Sequence, residues 1–357
     1  MSYLADRLLV WYDKNGRFLP WRAPLGRKSD PYRVWLSEVM LQQTTVTVVR
    51  PYYQKFLQKW PTITDLALAC DDDVMAAWAG LGYYARARNL LACARVVMSQ
   101  WGGSFPDTEQ ELLRLPGIGP YTAAAMAAIA FDRWAVVVDG NVERVMARFR
   151  AVRDPLPQSK KQLRILAEEL TPEKRSGDYA QAVMDLGATV CTPRSPRCGE
   201  CPWDTDCQGK RLGLADVLPY KTKGQPKPVR RGVIFWLTRS DRRIVLRRRP
   251  EVGLLGGMLE FPSTPWTETS WALDDAERYM PVSVTEWHAL PGHVRHTFSH
   301  FHLELVVCAG GVSEDCQDKL EELLWLSTEC LVQAALPSLM RKVAQHVAHH
   351  DVPLPAM

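Results

Sequence analysis

From Tyr3 to about Gly209, apolar residues return every third or fourth position in alanine-rich stretches with little β-branched alternation, the pattern of amphipathic helices. Leu4, Leu8 and Trp11 share one face of the first helix. Val34, Ser37, Met40, Leu41 and Thr44 share a face of the second, which starts at Asp30-Pro31. Further helices are predicted over Ile63–Ala69, Val74–Ala79, Ala85–Trp101, Thr108–Leu113, Tyr121–Phe131, Gly140–Phe149, Lys160–Leu170 and Tyr179–Val190. Turns rich in Gly, Pro and Asp separate them, so this part reads as a compact all-α unit. Between Lys210 and Arg231 the texture changes. Leu218 to Pro228 holds few apolar residues and several cations, which predicts a poorly packed linker able to run across a surface beside phosphates. Beyond it the period shortens: Gly232–Thr238, Arg242–Arg248 and His302–Cys308 read as strands, Leu320–Trp325 as either state and Ser338–Val347 as a helix. The predicted fold class is multidomain: an all-α domain over 1–210, a linker over 211–230, an α+β domain over 231–350 and a tail over 351–357.

A chain of 357 residues, 46% of them hydrophobic, suits two separate cores. Met1 to Val10 carries Asp6 and Arg7 among its apolar positions, unlike a signal peptide, and the apolar stretch from Ala123 to Val138 is broken by Asp132 and Arg133. The expectation is a soluble monomer, cytoplasmic or nucleoid-associated in a bacterium, with no membrane partner. A net charge of +4 does no more than permit contact with a polyanion. Of the nine cysteines, Cys70, Cys93, Cys308, Cys316 and Cys330 are scattered and read as small hydrophobes in a reducing compartment.

The other four, Cys191, Cys198, Cys201 and Cys207, fall within seventeen residues and read as metal ligands. Four thiolates accept either zinc or a [4Fe-4S] cluster. Only Cys198 and Cys201 form the tight pair usual for zinc, and the longer flanking arcs suit a larger inorganic core. Arg194, Arg197, Lys210 and Arg211 surround them, so the loop also reads as a stapled platform presenting cations to phosphates. A closed four-cysteine shell has no open position for substrate, which makes the expected role structural.

Leu115-Pro116-Gly117-Ile118-Gly119-Pro120-Tyr121-Thr122 joins two helices. Without Cβ atoms at Gly117 and Gly119, this turn can approach a phosphate and aim its amides at it, with Thr122 at the start of the next helix. A tight corner between helices is the plainer reading of Gly-x-Gly alone. Two carboxylates stand out: Glu38 within an otherwise apolar helical face, where burial favours its protonated form, and Asp139 between an apolar run and Gly140-Asn141-Val142. A helix-surface glutamate and a helix N-cap are their ordinary readings.

Five segments in this order, Leu36 to Thr44, Gly80 to Arg88, the Gly117–Gly119 hairpin, Val138 to Val142 and the four cysteines, make the chain resemble the helix-hairpin-helix DNA glycosylases with an iron-sulfur cluster, and within them the MutY-type family. The resemblance covers nearly the whole chain. It implies removal of adenine mispaired with 8-oxoguanine or guanine in duplex DNA to begin base excision repair, with one [4Fe-4S] cluster per chain. It implies Glu38 as the acid that protonates adenine at N7 and handles the water, Asp139 as the group stabilising the cationic sugar, and Tyr121 and Asn141 as active-site neighbours. Gln42, Gln43 and Tyr83 are implied as side chains filling the stack around the extruded base; Arg86 and Arg88 read as phosphate contacts or as surface cations. Bifunctional relatives carry a lysine where this chain has Tyr121, and a phenol cannot form an imine with the sugar, so base removal without lyase activity is expected.

Residues from Arg231 to about His350 resemble the family's Nudix-like domain through Gly256 to Pro262 and through Phe298-Ser299-His300, implied to recognise 8-oxoguanine. The Arg-Glu-x-x-Glu-Glu set of a Nudix hydrolase does not follow Phe261, so recognition without hydrolysis is expected. Two rivals remain at this stage. One is a superfamily member that removes thymine or an oxidised pyrimidine; the other is a non-enzymatic iron-sulfur DNA sensor.

Overall fold

The computed structural model describes residues 3–24, 26–222, 225–284, 286–312, 323–332, 334 and 336–350. Cys316, residues 320–322 of the ambiguous segment, Lys223 and Gly224 of the linker and the 351–357 tail lie outside them. The chain divides into two units, Met1–Ala69 with Asn89–Gly224, and Cys70–Arg88 with Gln225–Met357.

Helices build the first unit. α1 (Tyr3–Asn15), α2 (Pro31–Leu41), α3 (Val46–Lys59) and α4 (Ile63–Ala67) are followed by α5 (Asp71–Trp78) and α6 (Ala85–Trp101); α5 and the first turn of α6 count with the second unit. Then come α7 (Glu109–Leu112), α8 (Pro120–Phe131), α9 (Gly140–Phe149), α10 (Lys160–Leu170), α11 (Ser176–Thr189) and α12 (Gln208–Arg211). Asp30 caps α2, its Oδ1 accepting the Tyr32 amide at 2.9 Å, with Pro31 as the first helical residue. The helix stops at Leu41, short of the Thr44 that the periodicity suggested, because Gln42 turns to ψ 115 and Gln43 takes a positive φ of 58. α3 was not anticipated. Pro51 reads as a breaker, yet the helix absorbs its missing amide while burying Val49, Tyr53 and Phe56 on one face.

One core joins α1, α9, α10 and α11 around Leu8, Met146, Leu163, Leu186 and Trp203. The linker expectation needs correcting at its start. Ala215 and Leu218 are buried, Arg148 Nε donates to the Leu218 carbonyl at 2.8 Å, and Leu156 N donates to Tyr220 O at 2.8 Å, so this stretch packs onto the first unit. Two buried apolar side chains and these backbone hydrogen bonds hold it there.

The second unit contains β1 (Val229–Arg239), β2 (Arg243–Arg248), β3 (Leu259–Glu260), α13 (Leu273–Glu277), β4 (Glu286–Ala289), β5 (Val294–Thr297), β6 (His302–Val312), β7 (Leu323–Ser327) and α14 (Ser338–Ala348). Among the described residues these strands form one seven-stranded sheet with the path β3-β2-β1-β6-β4, β5 pairing with β6 and β7 with β2. β1 and β6 run parallel from Val229↔His302 to Arg239↔Val312. Alternation decides which face each side chain covers. Ile234 and Trp236 join the core that contains Leu339, Met340 and Val343 of α14, whereas Val233, Phe235 and Leu237 join a second core with Ala276, Met280 and Val282. Covering both faces turns β1 into the continuous apolar run seen in the sequence.

Candidate active site

Glu38 projects from a helix whose positions Val34 to Met40 are all buried, and only 7% of it is exposed. Burial pushes its carboxyl up to about 7; hydrogen bonding to Tyr121 and the charge of Arg22 oppose the shift, and Asp139 adds to it. Tyr121, the second residue of α8, is itself raised well above the ordinary tyrosine value by burial, then by Glu38 and Asp139. Its hydroxyl also lies 3.6 Å from Met184 Sδ. Glu38, Tyr121 and Asp139 therefore interact as one electrostatic group, although the sequence separates them widely.

Asp139 is the N-cap of α9. Its Oδ1 accepts the amides of Asn141 at 2.9 Å and Val142 at 2.7 Å, and its Oδ2 accepts Asn141 Nδ2 at 2.7 Å. Capping and siting are thus one arrangement, since the bonds that satisfy the helix start also fix the carboxylate plane. Asn141 Oδ1 in turn accepts Arg144 Nη2 at 2.8 Å, and Arg144 reaches the carbonyls of Gly187 and Cys191, each at 2.8 Å. Gly187 makes this possible: a Cβ there would stand 2.7 Å from Asn141 Cβ. Gly187→Ala is expected to push α9 off α11 and shift Asp139, costing about 1–3 kcal/mol of stability in a thermal melt.

Of the residues that the sequence pointed to along the hairpin, Gly117 and Gly119 fall between α7 and α8 and Thr122 in the first turn of α8. Gly117 has φ +73, and a Cβ would meet Asn89 Cβ at 2.6 Å; Gly119 caps α8. Thr122 is buried, and its hydroxyl accepts Gln42 Nε2 at 3.2 Å, so it ties the end of α2 to the hairpin. Gln43 is exposed in its left-handed turn. Arg22 and Arg17 also line a cavity of ≈ 50 Å³ beside Glu38 and Ser37. Neither arginine carried a local signal, because each is placed by Asp185, far along the chain.

Tyr83 belongs to the second unit, half exposed with φ 49, behind the left-handed Gly80 and Gly82. Its hydroxyl and Ser299 Oγ stand 2.8 Å apart, and the Arg86 guanidinium lies 5.6 Å from its ring centre. Arg86 is buried and donates to the carbonyls of Leu81 and Gly82; Arg88 donates to those of Glu251 and Gly256. Phe298 packs among Trp266, His296 and Phe301 and closes a turn through its amide bond to Phe301 O at 2.9 Å, leaving Ser299 and His300 exposed. In the Gly256 to Pro262 stretch, Glu260 is buried and paired with Arg247 at 2.8 Å and with Arg249.

The cysteine loop departs from expectation. Cys191, Cys198, Cys201 and Cys207 do line one cavity of ≈ 30 Å³, together with Arg148 and Lys210. Yet among the described residues no group of three or more His, Cys, Asp or Glu side chains is disposed to hold a metal ion, so the expected [4Fe-4S] cluster is not supported. The sulfurs are turned to local partners: Cys191 Sγ accepts Arg148 Nη1 at 3.3 Å, and Cys207 Sγ accepts the Lys210 amide at 3.5 Å. Burial pushes the Cys201 thiol up to about 12.

Comparison with known proteins gives this geometry its context. Residues 36–173 match the family model of the HhH-GPD superfamily base excision DNA repair proteins, 191–207 that of the iron-sulfur binding domain of endonuclease III, and 233–346 that of the NUDIX domain. The adenine DNA glycosylase of Homo sapiens is 38% identical over 94% of this chain and 72% of its own length, and that of Rattus norvegicus 36% identical over 96% and 77%. A solved thermostable thymine-DNA glycosylase is 31% identical, spans 58% of this chain and 95% of its own, and superposes with a TM-score of 0.52. The chain belongs to the adenine DNA glycosylases, base-excision enzymes with a helix-hairpin-helix catalytic region and a Nudix-like second domain.

Proposed function

We propose that this glycosylase, acting as a monomer, hydrolyses the N-glycosidic bond of adenine mispaired with 8-oxoguanine or guanine, and does so without cleaving the strand. The observation that carries the reading is a buried carboxyl titrating near 7 that interacts electrostatically with a second carboxylate held rigidly at a helix start. Adenine leaves as a neutral base only if N7 gains a proton as the bond breaks. Glu38 holds that proton at neutral pH and, once ionised, can accept one from the attacking water. The sugar meanwhile acquires oxocarbenium character, which the fixed Asp139 carboxylate offsets; Asn141 and Tyr121 keep the two acids in place.

Gln42, Gln43 and Tyr83 supply side chains to fill the gap left by an extruded nucleotide, and the backbone at Gly117 and Gly119 suits a phosphate. Phe298 anchors a turn that offers Ser299 and His300 to the opposite base, beside the exposed Tyr83 ring. Position 121 has no amine, so no imine with the sugar can form there.

The test measures released base from duplexes with adenine opposite 8-oxoguanine, guanine or thymine. Adenine should be released from the first two, with no borohydride-trapped adduct. Ser299→Ala with His300→Ala should lower the preference for 8-oxoguanine over guanine by about tenfold, the worth of one or two lost hydrogen bonds. Release of thymine from mispairs, or of no base from any duplex, would contradict the reading.

A further inference from the structure

Behind Glu38 lies a buried ion pair that the reaction above leaves unused. Asp185 on α11 is fully buried and takes four charge-assisted hydrogen bonds. Arg22 Nη1 and Nη2 reach its two oxygens at 2.6 and 2.7 Å, and Arg17 reaches them through Nε at 2.6 Å and its backbone amide at 2.8 Å. A fork of this kind fixes the plane of a guanidinium as well as its position. Arg22, with only 11% of its side chain exposed, lines the same cavity as Glu38.

We propose that Asp185 is a positioning residue for base excision: it clamps Arg22 into the wall of the Glu38 cavity and supplies the counter-charge that limits how strongly this cation acts on Glu38. The inference rests on Glu38 being the proton donor. Three groups act electrostatically on Glu38: Tyr121 from α8, Asp139 ahead of α9, and Arg22 from the loop after α1, the cation of the three; Arg17 lines the same cavity, with its charge paired to Asp185. Behind Arg22 stand Asp185, Arg17 and the Tyr12 hydroxyl. Burial pushes Asp185 up, but the bonds and charge of Arg22, followed by those of Arg17, outweigh it and hold the carboxyl below its ordinary value, so the fork persists at working pH. An anion at 185 therefore tempers the Arg22 charge, and a proton donor that must be half-loaded near neutrality needs that tempering.

Two substitutions separate clamp from charge by opposite signs in the single-turnover rate of adenine release against pH. Arg22→Gln removes the cation while Asp185 keeps Arg17, so the alkaline limb should move up by about half a pH unit or more. Asp185→Asn keeps one oxygen to hold the Arg22 guanidinium but removes its counter-charge, so the limb should move down by a similar amount. Should Asp185→Asn fail to fold, the Arg22→Gln arm decides alone. A limb within about 0.2 pH unit of wild type in Arg22→Gln, or a shift of both variants in the same direction, overturns the inference. A wild-type limb that survives unchanged in Glu38→Gln removes the assignment of Glu38 and this inference with it.

Discussion

Glu38→Gln is expected to slow adenine release roughly a thousandfold in single-turnover assays, while the mispaired duplex still binds. The amide keeps the shape of the side chain and its place on α2, but it has no proton to give at N7 and no lone pair basic enough for water; positioned acid–base groups contribute about 10²–10⁴-fold. The same substitution should make the protein more stable. An unfolded glutamate ionises near 4.5 and Glu38 near 7, so the folded state resists ionisation. This penalty is absent below pH 4.5, grows as pH rises towards 7 and reaches about 3 kcal/mol above it. Thermal melts of Glu38→Gln and wild type should coincide at pH 4 and separate by several degrees at pH 8. A rate loss coupled to lower stability at pH 8 would mean that the glutamate serves folding.

Asp139→Asn should cost about 10²–10³ in rate with little loss of structure. Asparagine is as good an N-cap as aspartate, and its Oδ1 can keep the amides of Asn141 and Val142. Its Nδ2 would then face Asn141 Nδ2 in place of the acceptor now present at 2.7 Å, a loss of about 1 kcal/mol. The anion proposed to offset the developing sugar cation is gone, however, and removing one fixed electrostatic partner of a transition state typically costs this much. If Asp139 only capped α9, the asparagine variant would release adenine at the wild-type rate, so this substitution separates the observed cap from the proposed electrostatic role.

The sequence made some of this legible because the signals were local. Asp30-Pro31 announces the start of α2, the apolar setting of Glu38 announces its burial, and Asp139-Gly140-Asn141 announces a helix cap, all within one or two turns of chain. The unbroken apolar run of β1 showed a strand, but what covers its two faces, α14 on one and the segment around Met280 on the other, had no local signal. α3 stayed hidden because Pro51 argues locally against a helix that tertiary burial of Tyr53 and Phe56 stabilises. The Arg22–Asp185 fork had no local trace, since it pairs residues that lie 163 positions apart. The cysteine spacing was legible as a family mark, and residues 191–207 match the iron-sulfur model, yet Cys191 Sγ accepts from Arg148 and Cys207 Sγ from the Lys210 amide, and among the described residues no metal-holding group forms. Spacing constrains which cysteines are neighbours without fixing where their sulfurs point.

The central claim is that Glu38 and Asp139 act as one unit on a single extruded adenosine, and the single-turnover rate of the Glu38→Gln/Asp139→Asn double variant on an adenine:8-oxoguanine duplex tests it directly. Groups that act together on one bond lose most of their effect when either is removed, so the double variant should be no more than about tenfold slower than the slower single variant. Loss equal to the product of the two single losses, or a double variant as fast as wild type, would contradict the account.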